Sequence, residues 1–232
     1  MKTLIVGIDL SFNSTGITNS VIENNIASIM EFHKIVFDDE SNKSGKPYSP
    51  KIIPNLNVHT YTLSRIVKPL DLCIDDTDLN NFEQLKTTLR AMTCSSKISH
   101  IISEAIEKYN PDNMIVCLEN YIMPSFGGQN SLKTVSGLII LQGFVREFLI
   151  KYCQKLTLQL KLLTPSPTQV KLFFCKDGQA DKDFMVYTFI NDYDGKKLLP
   201  SLEYKDTQYI NDVVDSFALN WYAYSKILNT QK

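Results

Sequence analysis

Cysteine and histidine are scarce in this sequence and widely spread. Its 232 residues hold five cysteines, and no two of them show the close spacing of a zinc site or a disulfide framework. Several cysteines lie in apolar runs, where a thiol packs as a small hydrophobic group. We expect a reduced, intracellular protein without a zinc cluster, whose histidines are ordinary surface or core residues. The residues concerned are Cys73, Cys94, Cys117, Cys153, Cys175, His33, His59 and His100.

The sequence also lacks an apolar run long enough to cross a bilayer. Its first residues are apolar, but Asp9 interrupts them before a signal-peptide core develops, and no cleavage signature follows. The chain is nevertheless 44% hydrophobic, which is enough to bury a sizeable core. We expect one soluble domain over residues 1–232, with no targeting signal and no membrane partner.

A basic surplus is missing as well. The net charge of −1 argues mildly against a nucleic-acid-binding protein, because neutralising phosphates usually requires excess lysine and arginine. Acidic residues crowd between positions 38 and 83, whereas basic residues outnumber them farther along. Either a local basic face or ordinary solvated lysines fits this distribution. The basic residues are Arg146, Lys151, Lys155, Lys161, Lys171, Lys176 and Lys182.

The order of apolar segments predicts an α/β fold. Strands are expected at 4–10, 15–22 and 26–37, and an insertion rich in Lys, Ser, Gly and Pro at about 38–80. The remaining chain predicts a helix at 80–109 that is broken or bent near 94–96, a strand at 114–118, a helix at 131–153, a strand at 156–163, helices at 169–175 and 180–190, a polar excursion at 192–205, and a helix at 208–228. We therefore expect a mixed five-stranded sheet flanked by helices.

Four acids occupy unusual positions among apolar neighbours. Asp9 lies in the first strand and Glu119 ends the fourth, at the edge where open α/β sheets place their sites. Asp212 and Asp215 are three residues apart, so they share one face of the last helix. Burying several unpaired carboxylates is costly, and bound divalent cations are the usual remedy.

Oxygen ligands alone favour Mg²⁺ or Mn²⁺ over zinc, and two such ions can support phosphodiester hydrolysis. Each acid also has an ordinary explanation when taken singly. Asp9 fits a turn at a strand end, and Glu119 fits a solvent-exposed edge. Asp212 fits a charge at a helix N-terminus, and Asp215 fits a partner for a lysine elsewhere. The four together favour the metal site.

Three segments carry a resemblance to a known family. Residues 5–16, IVGIDLSFNSTG, are similar to the first motif of RuvC-type Holliday junction resolvases, which belong to the RNase H-like superfamily. Residues 116–120, VCLEN, resemble the second acidic motif, and residues 210–218, INDVVDSFA, resemble the last one. Lys171, followed by GQADK at 178–182, resembles the two-lysine segment of the family. The resemblance spans nearly the whole chain apart from the insertion and the polar excursion.

The resemblance implies a metal-dependent endonuclease that cuts four-way DNA junctions as a homodimer. By analogy, Asp9, Glu119, Asp212 and Asp215 would hold two Mg²⁺ ions, for which Mn²⁺ would substitute. Lys171 and Lys182 would approach the scissile phosphate or the neighbouring backbone, with Lys182 acting in catalysis. Tyr121 and Phe126 would contact the bases of the junction, although packing within their own loop explains them equally well. The helix at 131–153 offers Val135, Leu138, Ile139, Leu141, Gln142 and Val145 to a dimer interface, although a core helix has the same pattern.

Three other functions remain open. A broader branched or flap DNA nuclease needs the same chemistry. An actin-like ATPase shares the GID and Ser-Thr-Gly turn, but it needs two such domains and a second glycine-rich loop, and the chain has only nine glycines. A non-catalytic junction-binding protein would not need all four acids. The insertion, together with the abundance of Asn, Ile and Lys, favours a viral or phage origin.

Overall fold

One six-stranded sheet organises the molecule. The computed structural model describes residues 1–12, 14–24, 26–38, 56–64, 79–120, 129–200, 202 and 207–228. The strands follow the order β4-β3-β2-β1-β5-β6 across the sheet, and β2 runs against the five others. The carboxyl ends of β1 and β5 therefore lie at the same edge. The strands are β1 (Lys2–Asp9), β2 (Ser14–Glu23), β3 (Ile26–Asp38), β4 (His59–Ser64), β5 (Asn113–Leu118) and β6 (Gln159–Leu163).

The predicted α/β class, a mixed sheet flanked by helices, is confirmed, but the number of strands was wrong. The sixth strand, β4, comes from the segment predicted to be an insertion, and it pairs in parallel with β3 at the sheet edge. Its sequence, HTYTLS, has only two large apolar side chains, Tyr61 and Leu63, so the pattern was too short to predict a strand. Residues 39–55 and 65–78 lie outside the described residues.

In the described part of the chain, six helices cover the two faces of the sheet. The first, α1, is continuous across positions 94–96, so the predicted break there was wrong. Cys94 and Ser95 are buried there, and the Ser95 hydroxyl donates to the carbonyl of Met92 within the helix. The strand predicted from 156 begins only at 159, because α2 continues to Leu156. The helices are α1 (Leu79–Tyr109), α2 (Gln129–Leu156), α3 (Pro167–Cys175), α4 (Lys182–Asp192), α5 (Gly195–Leu198) and α6 (Thr207–Leu228).

The alternation of β1 divides the core into two layers. Leu4, Val6 and Ile8 face α1 and α2, while Ile5 faces the layer formed by α3, α4 and α6. Within the described residues, no helix is both long and apolar enough to cross a membrane.

The helix α2 is mainly a core element. Leu141 and Val145 are fully buried in the chain and Gln142 is 8% exposed, so these three of the six residues offered to a dimer interface face inward. Ile139, by contrast, lies at the surface, 42% exposed. The dimer itself stays a prediction.

The last helix, α6, lies unusually close to the sheet. A Cβ on Gly7 of β1 would come within 2.2 Å of the Ser216 carbonyl oxygen, so that only glycine leaves room for the helix. Polar contacts fix the same approach, because the Asn220 amide donates to the carbonyls of Ile5 and Thr18, at 3.0 Å each. This approach sets where the first turns of α6, with their two acids, lie relative to the end of β1.

Candidate active site

Three of the four predicted acids and both predicted lysines line one cavity at the carboxyl edge of the sheet. This acid cavity, of about 210 Å³, is bounded by Asp9, Glu119, Asp215, Lys171 and Lys182. Its apolar walls are Pro167, Val170, Met185 and Leu219. Residues from β1, the end of β5, α3, α4 and α6 thus meet at one point, although they lie far apart in the sequence.

Asp9 is the last residue of β1, and hydrogen bonds fix the turn that follows it. The Thr15 hydroxyl accepts from the backbone N–H of Ser11 at 3.1 Å and donates to the carbonyl of Ser11 at 2.9 Å. Thr15 is completely buried, so this turn is anchored in the core. The Ser, Thr and Gly residues of the first motif therefore shape the chain directly after the acid.

Glu119 follows β5 and is fixed by contacts to its backbone. The Gln142 amide of α2 donates to the Glu119 carbonyl at 3.0 Å, and the N–H of Asn120 donates to the carbonyl of Pro165 at 2.8 Å. The parallel pairing of β1 with β5, which sets Ile8 opposite Leu118, places Glu119 beside Asp9.

The two lysines lie on a helical hairpin formed by α3 and α4. Ser166 and Gln169 form a capping box at the start of α3, and Asp181 accepts from the N–H of Phe184 at the start of α4. Lys182 is therefore the first residue of α4, where the positive end of the helix dipole disfavours a cation. The carboxylates of the acid cavity provide the negative charge that compensates this position.

Asp212 and Asp215 share a helix face but have different surroundings. Asp215 lines the acid cavity, whereas the Asp212 carboxylate forms an ion pair with the Lys34 ammonium group, Oδ2 to Nζ 3.0 Å. The structure thus does not place Asp212 among the residues that line the cavity. The close lysine pair is at Asp212, whereas Asp215, for which a lysine partner is an alternative from the sequence, shares the cavity with Lys171 and Lys182.

Burial and mutual repulsion raise the pKa values of the cavity acids. Burial, then the charge of Asp215, raises the pKa of Glu119 to about 7, although Lys171 opposes the shift. Burial likewise raises the pKa of Asp215 to about 6, against the attraction of Lys182. The pKa of Asp9 lies well above its usual range, because burial is reinforced by the charges of Asp215, Asp212 and Glu119. Ionisation of one of these carboxyls therefore disfavours ionisation of the others, and a bound cation would relieve this repulsion.

The donor set suits a hard divalent cation. Among the described residues, no three His, Cys, Asp or Glu side chains form a cluster that could hold one ion as they stand. Mg²⁺ keeps several water ligands and is commonly bound through one or two carboxylates together with substrate phosphates. The residues present therefore fit Mg²⁺ or Mn²⁺ in their chemistry.

Other predicted residues lie away from this cavity. His33 is buried and stacks on His59 with ring centroids 5.1 Å apart, while His100 pairs with Glu104 at the surface. Burial lowers the pKa of His33 to about 4, so it is a neutral core residue. Of the cysteines, Cys94, Cys117, Cys153 and Cys175 are buried free thiols. Tyr121, Phe126 and Cys73 lie outside the described residues.

Two residues of the site were missed from the sequence. Gln142 had been assigned only to a possible dimer helix, and nothing in its helical pattern indicates a bond to Glu119. Lys34 offered a clearer signal, because it is a lysine inside the apolar segment FHKIVF at positions 32–37. A charge within a core strand needs a partner, and the last helix provides it.

Comparisons with known proteins find similarity among solved structures. No family model matches the chain, and no curated protein matches it. Among solved structures, it is similar to Thermus thermophilus RuvC, with 12% identity over 97% of this chain and 96% of that one and a TM-score of 0.47. T. thermophilus RuvC in complex with Holliday junction substrate shares 13% identity over 97% and 95% of the two chains, with a TM-score of 0.44. The yeast mitochondrial Holliday junction resolvase shares 14% over 97% and 80%, with a TM-score of 0.45.

Proposed function

We propose that this chain is a metal-dependent endonuclease that hydrolyses the backbone of branched DNA, with four-way junctions as its substrate. The observation that carries the proposal is the acid cavity, in which three carboxylates with raised pKa values face two lysines. A site that combines carboxylates with lysines suits a phosphodiester, because the carboxylates can bind cations and the lysines can bind phosphate oxygens.

In this proposal, Asp9, Glu119 and Asp215 would hold the divalent ions. Bound Mg²⁺ or Mn²⁺ supplies charge neutralisation and a more acidic water molecule. In the metal-free chain the pKa of Glu119 is raised to about 7, so binding of the cation would release a proton from this carboxyl near neutral pH. The water oxygen would form a bond to phosphorus and lose its proton to solvent, while the bond from phosphorus to the leaving deoxyribose oxygen breaks and that oxygen takes up a proton from solvent.

The lysines would act on the phosphate. Lys182 is exposed at the mouth of the cavity, and Lys171 is half-buried beside Glu119 and Asp215. Their ammonium groups attract phosphate oxygens without regard to base sequence and stabilise the charge that accumulates during displacement. A site of this type selects the backbone, so selectivity for junctions must come from the way the DNA arms are held.

We expect a homodimer, because cutting opposite strands of a four-way junction requires two sites related by two-fold symmetry. The RuvC neighbour solved with Holliday junction substrate is a precedent for that ligand in another protein. Sedimentation would measure the oligomeric state of the chain alone and of the chain bound to a junction. A monomer in both conditions would contradict the dimer.

The test of the proposed function is cleavage of labelled DNA. Purified protein is incubated with a four-way junction, a flap and a linear duplex in Mg²⁺, Mn²⁺ or EDTA. We expect symmetric cuts in the junction with either metal, no cutting in EDTA, and no cutting by Asp9→Asn. The control variant Asp192→Asn, which removes an exposed acid at the end of α4, should cut as the original chain does.

The outcomes separate the alternatives. Equal cutting of flaps and junctions would broaden the substrate to branched DNA in general. Junction binding without cleavage in every metal would contradict the nuclease and favour a junction-binding protein. ATP hydrolysis without DNA cleavage would favour the actin-like ATPase.

A further inference from the structure

Lys34 is a buried cation with a complete set of partners. Its side chain is 6% exposed, which disfavours an ammonium group unless it is paired. Its ammonium group meets the Asp212 carboxylate at 3.0 Å, donates to the carbonyl of Tyr209, and lies 4.3 Å from the centroid of the Tyr209 ring. All three contacts lie on the first turns of α6.

The pair is adjacent to the acid cavity but separate from it. Asp212 is close enough to repel Asp9 and Asp215 electrostatically, and so contributes to their raised pKa values. Neither Asp212 nor Lys34 lines the cavity. The carboxylate that the family resemblance assigns to a metal ion is thus neutralised by a lysine of the same chain.

Resting on the proposed function, we infer that Lys34 is a positioning residue that holds the Asp212 carboxylate outside the acid cavity. A divalent ion bound in the cavity is then ligated by Asp9, Glu119 or Asp215, and Asp212 becomes a ligand only when its pair with Lys34 opens. The protein without DNA then binds fewer metal ions than four unpaired carboxylates would, because the Lys34 ammonium group already neutralises Asp212.

The strand β4 supports this arrangement from the segment that the sequence marks as an insertion. The Thr60 hydroxyl and the Tyr209 hydroxyl lie 2.8 Å apart, and Thr60 pairs with Lys34 in the parallel register of β3 and β4. A strand outside the acidic motifs therefore braces the tyrosine that covers the ammonium group of Lys34. The segment predicted to be an insertion thus supports, through β4, the ion pair between Lys34 and Asp212.

Manganese binding without DNA tests the inference, by counting free and bound Mn²⁺ by electron paramagnetic resonance at pH 8. In the original chain, Asp212→Asn should change Mn²⁺ affinity by less than about threefold, whereas Asp9→Asn and Asp215→Asn should each weaken it by about tenfold or more. Lys34→Met frees Asp212 and should strengthen binding about tenfold or add a second ion. Lys108→Met, which breaks a surface pair with Glu31 at 2.6 Å, is the matched control and should change nothing.

The double variant Lys34→Met with Asp212→Asn guards against unfolding, because it removes both charges and leaves none unpaired. It should bind Mn²⁺ within about threefold of the original chain, and it decides the matter if Lys34→Met alone does not fold. Weakening by Asp212→Asn as large as that by Asp215→Asn, unchanged binding in a folded Lys34→Met, or no binding in any variant would overturn the inference. Mn²⁺ binding as expected, without DNA cleavage, would contradict the nuclease and leave the role of Lys34 standing.

Discussion

The backbone of Asp212 packs directly against Gly16. A Cβ on this glycine would lie 1.9 Å from the Asp212 carbonyl oxygen, a distance that no side chain tolerates. Gly16 pairs with Asp9 across β1 and β2, so this contact also fixes the start of α6 relative to the first acid of the cavity. The glycine that ends the first sequence motif therefore sets the distance between two acidic motifs.

Gly16→Ala should displace α6 and damage both stability and cleavage. The added methyl group meets helix backbone, which cannot move without shifting Asp215, so we expect unfolding to become easier by about 2 kcal/mol or more. Urea unfolding and junction cleavage measure the two effects. Gly143→Ala in α2 is the control, because a Cβ there meets nothing within 4 Å. That variant should gain about 0.5–1 kcal/mol from helix propensity and cut DNA normally.

Glu119→Gln should stabilise the metal-free protein at high pH. The pKa of Glu119 is raised from 4.5 to about 7 in the folded chain, so folding favours its protonated form. The ionised carboxylate therefore lowers stability progressively as pH rises from about 4.5 to about 7 and by a constant amount above that range. Urea unfolding in EDTA should show equal stabilities at pH 4 and a gain for the variant on the order of 2 kcal/mol at pH 8.

A matched control for this pH dependence is Glu107→Gln on the exposed face of α1, which should follow the original chain at both pH values. Added Mg²⁺ should stabilise the original chain at pH 8 more than Glu119→Gln, because the ion binds the ionised carboxylate. A gain for Glu119→Gln that is as large at pH 4 as at pH 8 would mean that its cause is not ionisation.

Lys182→Met should slow cleavage by roughly 100-fold while DNA binding changes little. The ammonium group lowers the pKa values of Asp9 and Asp215 in the folded chain, so its removal should also shift the onset of Mn²⁺ binding to higher pH. Single-turnover cleavage and Mn²⁺ titration at several pH values measure these changes. Lys155→Met, an exposed lysine in the last turn of α2, should behave as the original chain. An equal loss in both lysine variants would indicate a general effect of charge.

Asn220→Leu should destabilise the contact between α6 and the sheet by about 2–4 kcal/mol. The Asn220 amide donates to two strand carbonyls, and its carbonyl oxygen accepts from the Ser20 hydroxyl at 2.8 Å. Leucine would remove all three of these buried hydrogen bonds. The control is Asn191→Ala, which removes an exposed hydrogen bond from Asn191 to the Tyr187 carbonyl within α4. It should change the free energy of unfolding in urea by less than about 0.5 kcal/mol. Similar losses in both variants would contradict the importance of burial.

The acidic motifs were recognisable in the sequence because each carboxylate interrupts an apolar segment. Asp9 and Glu119 follow strands that could be predicted from their apolar runs, and parallel pairing of those strands brings the two acids together. Lys171 and Lys182 were singled out only by the resemblance of their segment to the family, and the hairpin of α3 and α4 presents both to the cavity. Local patterns were sufficient for the two acids because a strand end fixes where each side chain lies.

The sequence by itself determined the α/β class, the positions of most helices and strands, and the identity of the candidate acids, since apolar periodicity and interrupted apolar runs are local properties. Only the tertiary structure decided that β4 joins the sheet, that Gln142 holds Glu119, and that Asp212 is paired with Lys34 while Asp215 faces the cavity. These relationships join residues distant in the chain. They depend on how closely α6 packs against Gly7 and Gly16, which no local pattern specifies.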